Sequence, residues 1–97
     1  YEASSAGGDI DEKTLYIVIG GVRSTVANRA NTATYTGTMT AYLRGSSTDK
    51  WGLTTPIPVS DMNATNFGFA LLVTNGASKG DDTVSVDYMK VKVYYTP

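Results

Sequence analysis

The stretch Ala33-Thr-Tyr-Thr-Gly-Thr-Met-Thr-Ala-Tyr-Leu43 carries the clearest structural signal in the chain. Its odd positions are mostly apolar and its even positions are threonines or a tyrosine, a period of two that is typical of a β-strand with one packed face and one solvated face. We therefore predict an amphipathic strand here, with Met39 buried and Thr36 and Thr38 in solvent. Gly37 at the centre predicts a bulge or a close neighbour.

Other segments also predict strands. Residues 15–19 are apolar at every position, as in a strand covered on both faces. A short strand is expected over residues 22–26, and residues 67–74 predict a strand at the centre of the core. Residues 83–96 predict a long final strand in which the apolar positions change face, and such a change indicates a β-bulge, which we place within residues 87–89.

The remaining segments predict connections. Residues 1–13 are small, polar and acidic, so we expect a flexible N-terminal arm or linker followed by one domain over residues 14–97. Residues 44–49 predict a turn, and the stretch Ser60-Asp61-Met62-Asn63 could cap one helical turn, the only helix that we expect. The pattern predicts an all-β fold, an antiparallel β-sandwich or jelly-roll-like domain of roughly five or six strands. Because a sandwich usually has about seven strands, we expect a neighbouring chain to complete it.

Composition narrows the possible functions. Eight basic residues against nine acidic ones, in 97 residues, give a net charge of −1, which disfavours binding to nucleic acid. The sequence has no histidine and no cysteine, so histidine-based catalysis and thiolate metal sites are excluded and no cofactor is expected. No apolar run approaches the roughly 20 residues of a membrane span. The chain begins with Tyr1 rather than Met, from which we expect a processed form or a part of a longer chain.

Two groups of residues are candidate sites, each with a structural alternative. Trp51, Tyr42 and Tyr94 could form a sugar-stacking platform, because aromatic faces offer apolar area beside polar edges. Packing on a sheet is the simpler role for the same side chains. Asp9, Asp11 and Glu12, with oxygens from residues 81–82, could bind Ca²⁺. We favour a solvated acidic arm, because the Asp/Asn/Gly pattern of a calcium loop is missing.

A further carboxylate, Asp87, lies within an otherwise apolar strand pattern. We expect it to be partly buried and to accept hydrogen bonds from backbone N–H groups at the bulge or from Lys90. No second acid or base is positioned by the sequence to make it catalytic.

Four landmarks follow one another in the second half of the chain: Trp51-Gly52, Asn66-Phe67-Gly68-Phe69, Val86-Asp87-Tyr88 and Val91-Lys-Val-Tyr-Tyr-Thr96. Their order resembles the C-terminal β-sandwich of many tailed-phage structural proteins and of phage-like or bacterial surface proteins. The resemblance covers roughly residues 51–96. It implies a structural role and transfers no catalytic residue.

The leading hypothesis is therefore a non-enzymatic structural or adhesive module of a virion or cell surface, such as a phage decoration, fibre or tail component. Its expected partners are copies of itself or a capsid, tail or surface scaffold. If the apolar strand lies at a sheet edge, it needs cover from such a partner. The expected assembly residues are Leu15, Tyr16, Ile17, Val18 and Ile19. The alternative is a carbohydrate-binding module that uses the aromatic platform.

Overall fold

A computed structural model describes residues 1–6, 10–75 and 82–96. They form two antiparallel three-stranded sheets, which confirms the predicted all-β, sandwich-like fold. The elements are β1 (Glu2–Ser5), β2 (Ile10–Ile19), β3 (Val22–Arg23), β4 (Thr40–Ala41), α1 (Val59–Met62), β5 (Gly68–Asn75) and β6 (Val84–Tyr88). One sheet has the order β4-β1-β6 and the other β3-β2-β5.

The N-terminal residues are not an arm where the structure describes them. Strand β1 lies at the centre of its sheet, between β4 and β6, and β2 begins at Ile10. Ala3 and Ser5 are buried against the core, which contains Ile10 and Tyr35. The prediction was wrong because a segment poor in apolar area cannot fold alone, yet small side chains suit a central strand that hydrogen-bonds on both edges. Residues 7–9 lie outside the described residues.

Strand β2 is the longest element, and its neighbours lie within the same chain. It pairs with β5 from Ile10 to Val18 and with β3 at Val18 and Ile19. Along the rest of its second edge, backbone N–H groups of the irregular 24–35 segment donate to β2: Ser24 N–H to Ile17 O at 2.9 Å and Arg29 N–H to Leu15 O at 3.0 Å. The apolar strand is therefore not a free edge.

The stretch from Ala33 to Leu43 is not one continuous strand. It forms an isolated bridge at Thr34 and then the two-residue β4, and although Tyr35 is only 1% exposed, Met39 is 41% and Leu43 is 87% exposed. Threonine side chains here bond to nearby backbone instead: the hydroxyls of residues 36 and 40 donate to the carbonyl of residue 38 at 3.0 and 2.8 Å. Such local bonds compete with a strand ladder, and the chain bends across from one sheet to the other.

The predictions for the second half are confirmed in part. Residues 68–75 form a strand, but β5 pairs only with β2 among the described strands and is mostly half-buried, so it is not the centre of the core. Residues 59–62 form the predicted helical turn, although it begins after Pro58 and has no side-chain cap. Strand β3 is shorter than expected. The predicted loop after β5 lies mostly outside the described residues.

The predicted bulge is confirmed, whereas the long final strand is not. The β1–β6 register shifts so that Glu2 pairs with Tyr88 and Ala3 with Val86, which leaves Asp87 as the extra residue. Asp87 is exposed rather than partly buried, because the bulge removes it from the ladder. Strand β6 ends at Tyr88, which pairs with Glu2, the first residue of β1. We call residues 89–96, which have no regular secondary structure, the C-terminal segment.

Candidate functional site

The three aromatic residues predicted to form a platform line one cavity. Tyr42, Trp51 and Tyr94 surround a space of about 790 Å³ between the strands and the C-terminal segment. A second cavity of about 790 Å³ shares Trp51 and Tyr94 with the first and extends toward Phe67 and the end of the C-terminal segment. The structure therefore brings together residues that lie 52 positions apart in sequence (94 − 42).

Trp51 is held in an unusual backbone conformation. Its φ is 50°, a left-handed value that is strained for a bulky residue. Its backbone N–H donates to Asp49 Oδ1 at 2.9 Å, and its ring meets that of Phe69 edge-on, with centroids 5.0 Å apart. A Cβ added at Gly45, where φ is 81°, would lie 2.8 Å from Trp51 Nε1. The indole therefore depends on a glycine beneath it.

An ion pair anchors the turn that carries Trp51. Arg29 donates two hydrogen bonds to the Asp49 carboxylate, Nε to Oδ2 at 2.5 Å and Nη2 to Oδ1 at 2.6 Å. These bonds from Arg29, and then the N–H of Trp51, hold the pKa of Asp49 below its usual value. Asp49 in turn raises the pKa of Arg29. The geometry is bidentate, which fixes direction as well as distance.

A buried ion pair between Glu12 and Arg44 lies beside Tyr42. Glu12 is 0% exposed and accepts hydrogen bonds from Arg44, at 2.9 Å from Nε to Oε1 and 2.5 Å from Nη2 to Oε2. The Arg44 guanidinium also lies over the Tyr42 ring, 5.5 Å from its centroid. Glu12 is thus neither part of a solvated arm nor available as a calcium ligand. It was mispredicted because its partner lies 32 positions away in sequence.

Two tyrosines lie against this ion pair. The Tyr1 and Tyr35 hydroxyls are 2.6 Å apart, and the ring of Tyr42 packs against both of theirs, with centroid distances of 5.5 and 5.2 Å. Burial is the first cause that raises the pKa of Tyr1 and of Tyr35 above the ordinary value. Both hydroxyls therefore stay neutral well above neutral pH.

The C-terminal segment and the end of β6 form another wall of the first cavity. Tyr88, Lys90, Lys92 and Tyr94 all line the first cavity. The ammonium of Lys90 lies 4.5 Å from the Tyr88 ring centroid and that of Lys92 lies 5.1 Å from that of Tyr94. Desolvation, and after it the Glu2 carboxylate, raises the pKa of Tyr88.

The structure divides the predicted assembly residues between two faces. Leu15 lines the first cavity and Ile17 the second, and both are buried. Tyr16, Val18 and Ile19 are half-buried, and Arg23 lies over the Tyr16 ring at 5.4 Å. Only the second group is partly accessible to another molecule.

The calcium candidates do not come together in the part of the chain that the structure describes. The Asp11 carboxylate accepts a hydrogen bond from the Thr34 hydroxyl at 2.5 Å, and Asp9 and Asp81 lie outside the described residues. Among residues 1–6, 10–75 and 82–96, no three metal-ligating side chains form a cluster. No helix in these ranges is long and apolar enough to cross a membrane.

Sequence reasoning missed several residues that shape the cavity. Arg44 and Gly45 were assigned to a turn, and Arg29 and Asp49 were not singled out. The Gly45 position carries a local signal, because a glycine between two strands often marks a positive φ. The ion pairs have no such signal, since their members lie far apart in sequence.

Comparison with protein-family models, with curated proteins and with solved structures found no match to this chain.

Proposed function

We propose that this domain is a non-catalytic structural or adhesive module that packs against copies of itself or a scaffold protein. One observation carries the proposal: the chain leaves the apolar side chains of its C-terminal segment uncovered. Met89, Val91 and Val93 are 41–47% exposed and Tyr95 is 81% exposed. Contiguous exposed apolar groups of this kind are typical of interaction surfaces.

The backbone of the same segment supports this proposal. Residues 89–96 make no backbone hydrogen bond to another described residue, although their alternating pattern suits a strand. Unpaired strand-forming backbone beside exposed apolar side chains is a common basis for pairing with another chain. The sequence resemblance of residues 51–96 favours a virion, as a decoration, fibre or tail component, or a cell-surface assembly as the setting.

Native mass spectrometry and light scattering of the wild-type chain over a range of concentrations test this proposal. We expect an oligomer that dissociates on dilution. The double variant Val91→Thr/Val93→Thr keeps side-chain shape but adds hydroxyls, so it is expected to remain monomeric. The control Val22→Thr/Val26→Thr makes the same change at two valines that are more exposed, at 69% and 77%, and it should associate like wild type. A wild-type monomer at every concentration, or equal effects of both variants, would contradict the proposal.

A second candidate function is carbohydrate binding. The observation that favours it is the convergence of Tyr42, Trp51 and Tyr94 on one cavity, whose volume suits a small ligand. A glycan array probed with wild type, Trp51→Ala and the control Tyr95→Ala tests it, because Tyr95 lies outside the first cavity. Binding that is lost only in a folded Trp51→Ala variant supports the candidate, and absence of binding by wild type rejects it.

A further inference from the structure

We infer that the first cavity takes a saccharide that carries a negative charge, such as a uronic acid or a sulfated sugar. This inference rests on the second proposed function and names the class of ligand. The juxtaposition that supports it is a pair of lysines and two aromatic residues in the lining of one cavity. Lys90 and Lys92 line the same cavity as Tyr42 and Trp51.

The charged side chains that line the first cavity are all basic. The described residues that line the cavity include Arg44, Lys90 and Lys92 and no Asp or Glu. Arg44 is already neutralised by Glu12, whereas neither lysine forms an ion pair with a described residue. A ligand anion beside Lys90 and Lys92 therefore meets two ammonium groups with no competing carboxylate in the lining.

Each lysine side chain is also restrained by a tyrosine two positions away in sequence. Each ammonium lies over a tyrosine ring, and a cation stacked in this way loses less freedom when it binds an anion than one on an unrestrained side chain. The Glu2 carboxylate interacts with Tyr88, whose ring contacts the Lys90 ammonium, so it offsets part of the positive charge of Lys90. We therefore expect Lys92 to contribute more to binding than Lys90.

The aromatic part of the lining suits a sugar ring. Trp51 offers an aromatic face, because the Tyr42 ring is already covered by Arg44, Tyr1 and Tyr35, and Ser46 and Ser47 offer hydroxyls for hydrogen bonding. An aromatic face stacks on the apolar C–H face of a pyranose, while hydroxyls satisfy its polar edge. The lining therefore matches a ring with one apolar face and an anionic substituent.

Trp51 is the single tryptophan of the chain, so its fluorescence reports binding without a label. We would titrate the full chain with an oligomer of galacturonic acid and, separately, with the methyl ester of the same oligomer. The two probes share ring and length and differ in charge. A sulfated oligosaccharide forms a third arm that distinguishes the two anionic groups. We expect the acid or the sulfate to change the Trp51 emission and to bind about tenfold more tightly than the ester.

Substitutions assign the effect to the two lysines. Lys90→Gln/Lys92→Gln is expected to lower the affinity for the acidic oligomer about tenfold and to leave that for the ester unchanged. The control Lys13→Gln/Arg23→Gln removes the same charge from exposed positions outside the cavity and should bind like wild type. Circular dichroism checks that each variant is folded.

Three outcomes would overturn the inference in distinguishable ways. Equal affinity for acid, sulfate and ester would reject the charged ligand while leaving the carbohydrate candidate standing. No change in emission with any probe would reject both. Loss of binding in the control double variant as large as that in the lysine variant would show long-range attraction rather than a site.

Discussion

The two ends of the chain differ in how completely they are covered by the rest of the molecule. Strand β1 is short and weakly apolar, yet it lies between two strands and buries Ala3 and Ser5. The C-terminal segment is richer in apolar and β-branched residues, yet it pairs with no strand among the described residues and is exposed. Position in the sheet order, rather than hydrophobic content, decides which of the two is covered.

In the covered region, loss of the buried Glu12–Arg44 ion pair is expected to have the largest effect on the free energy of unfolding. Arg44→Met leaves the fully buried Glu12 carboxylate without its partner, and we expect a loss of about 3–5 kcal/mol in the free energy of unfolding. Urea denaturation measures it. Glu12→Met/Arg44→Met should recover most of the loss, and the exposed Arg23→Met should change little. A loss below about 1 kcal/mol for Arg44→Met would show that the pair is not sealed from solvent.

The covered and uncovered parts of the Ala33–Leu43 stretch should also respond differently. Tyr35→Ala is expected to cost about 3–5 kcal/mol, because the buried ring fills the core beside Ala3 and Ile10. Leu43→Ala should lie within about 0.5 kcal/mol of wild type, since Leu43 is exposed. Thermal melts compare them. Similar losses of stability for the two variants would instead support the regular alternation of buried and exposed residues that the sequence predicts.

Substitution of Gly45 tests whether its close contact with Trp51 fixes the position of the indole in the cavity wall. Gly45→Ala adds a Cβ close to the Trp51 indole at a positive φ, and we expect a loss of about 1–3 kcal/mol with a shift of the tryptophan emission. Gly20→Ala is the matched control, because its φ is also positive (61°) but no atom lies within 4 Å of the added Cβ. It should cost less and leave the emission unchanged. Equal emission shifts would mean that Trp51 does not rest on Gly45.

The smallest expected effect is the pH dependence of the Arg29–Asp49 pair. Because the folded pKa of Asp49 lies below its unfolded value of about 3.9, the pair stabilises the fold above about pH 4 and loses its contribution as the pH falls through the folded pKa. The contribution is at most about 1 kcal/mol, as for a partly exposed pair. Asp49→Asn should lower the melting temperature at pH 7 and flatten its decline between about pH 5 and pH 3. If the melting temperature of Asp49→Asn fell with pH as steeply as that of wild type, the lowered pKa of Asp49 in the folded state would be contradicted.

The fold class could be predicted because alternation and turn residues are local signals. The apolar pattern located β2 and β5, and the change of face located the bulge at Asp87. The path of residues 33–43 could not be predicted, since threonine side chains favour local bonds as readily as a ladder. The short strand β1 has too little apolar character to be recognised without its neighbours.

The candidate site could be predicted only as a set of residue types. Trp51, Tyr42 and Tyr94 were singled out as aromatics, but their convergence depends on the bend before β4 and on the path beyond Tyr88. The Glu12–Arg44 pair joins β2 to the segment that follows β4, and these two strands belong to different sheets. Neither relation leaves a pattern in a single sequence.

The central claim is that the C-terminal segment is not covered by the other described residues and becomes covered when the protein associates. Amide hydrogen exchange measured by mass spectrometry, at low and at high protein concentration, tests it most directly. The account predicts that β2 is protected at both concentrations, whereas residues 89–96 exchange rapidly in dilute solution and become protected as the protein associates. Protection of residues 89–96 in the dilute monomer, or rapid exchange at every concentration, would contradict it.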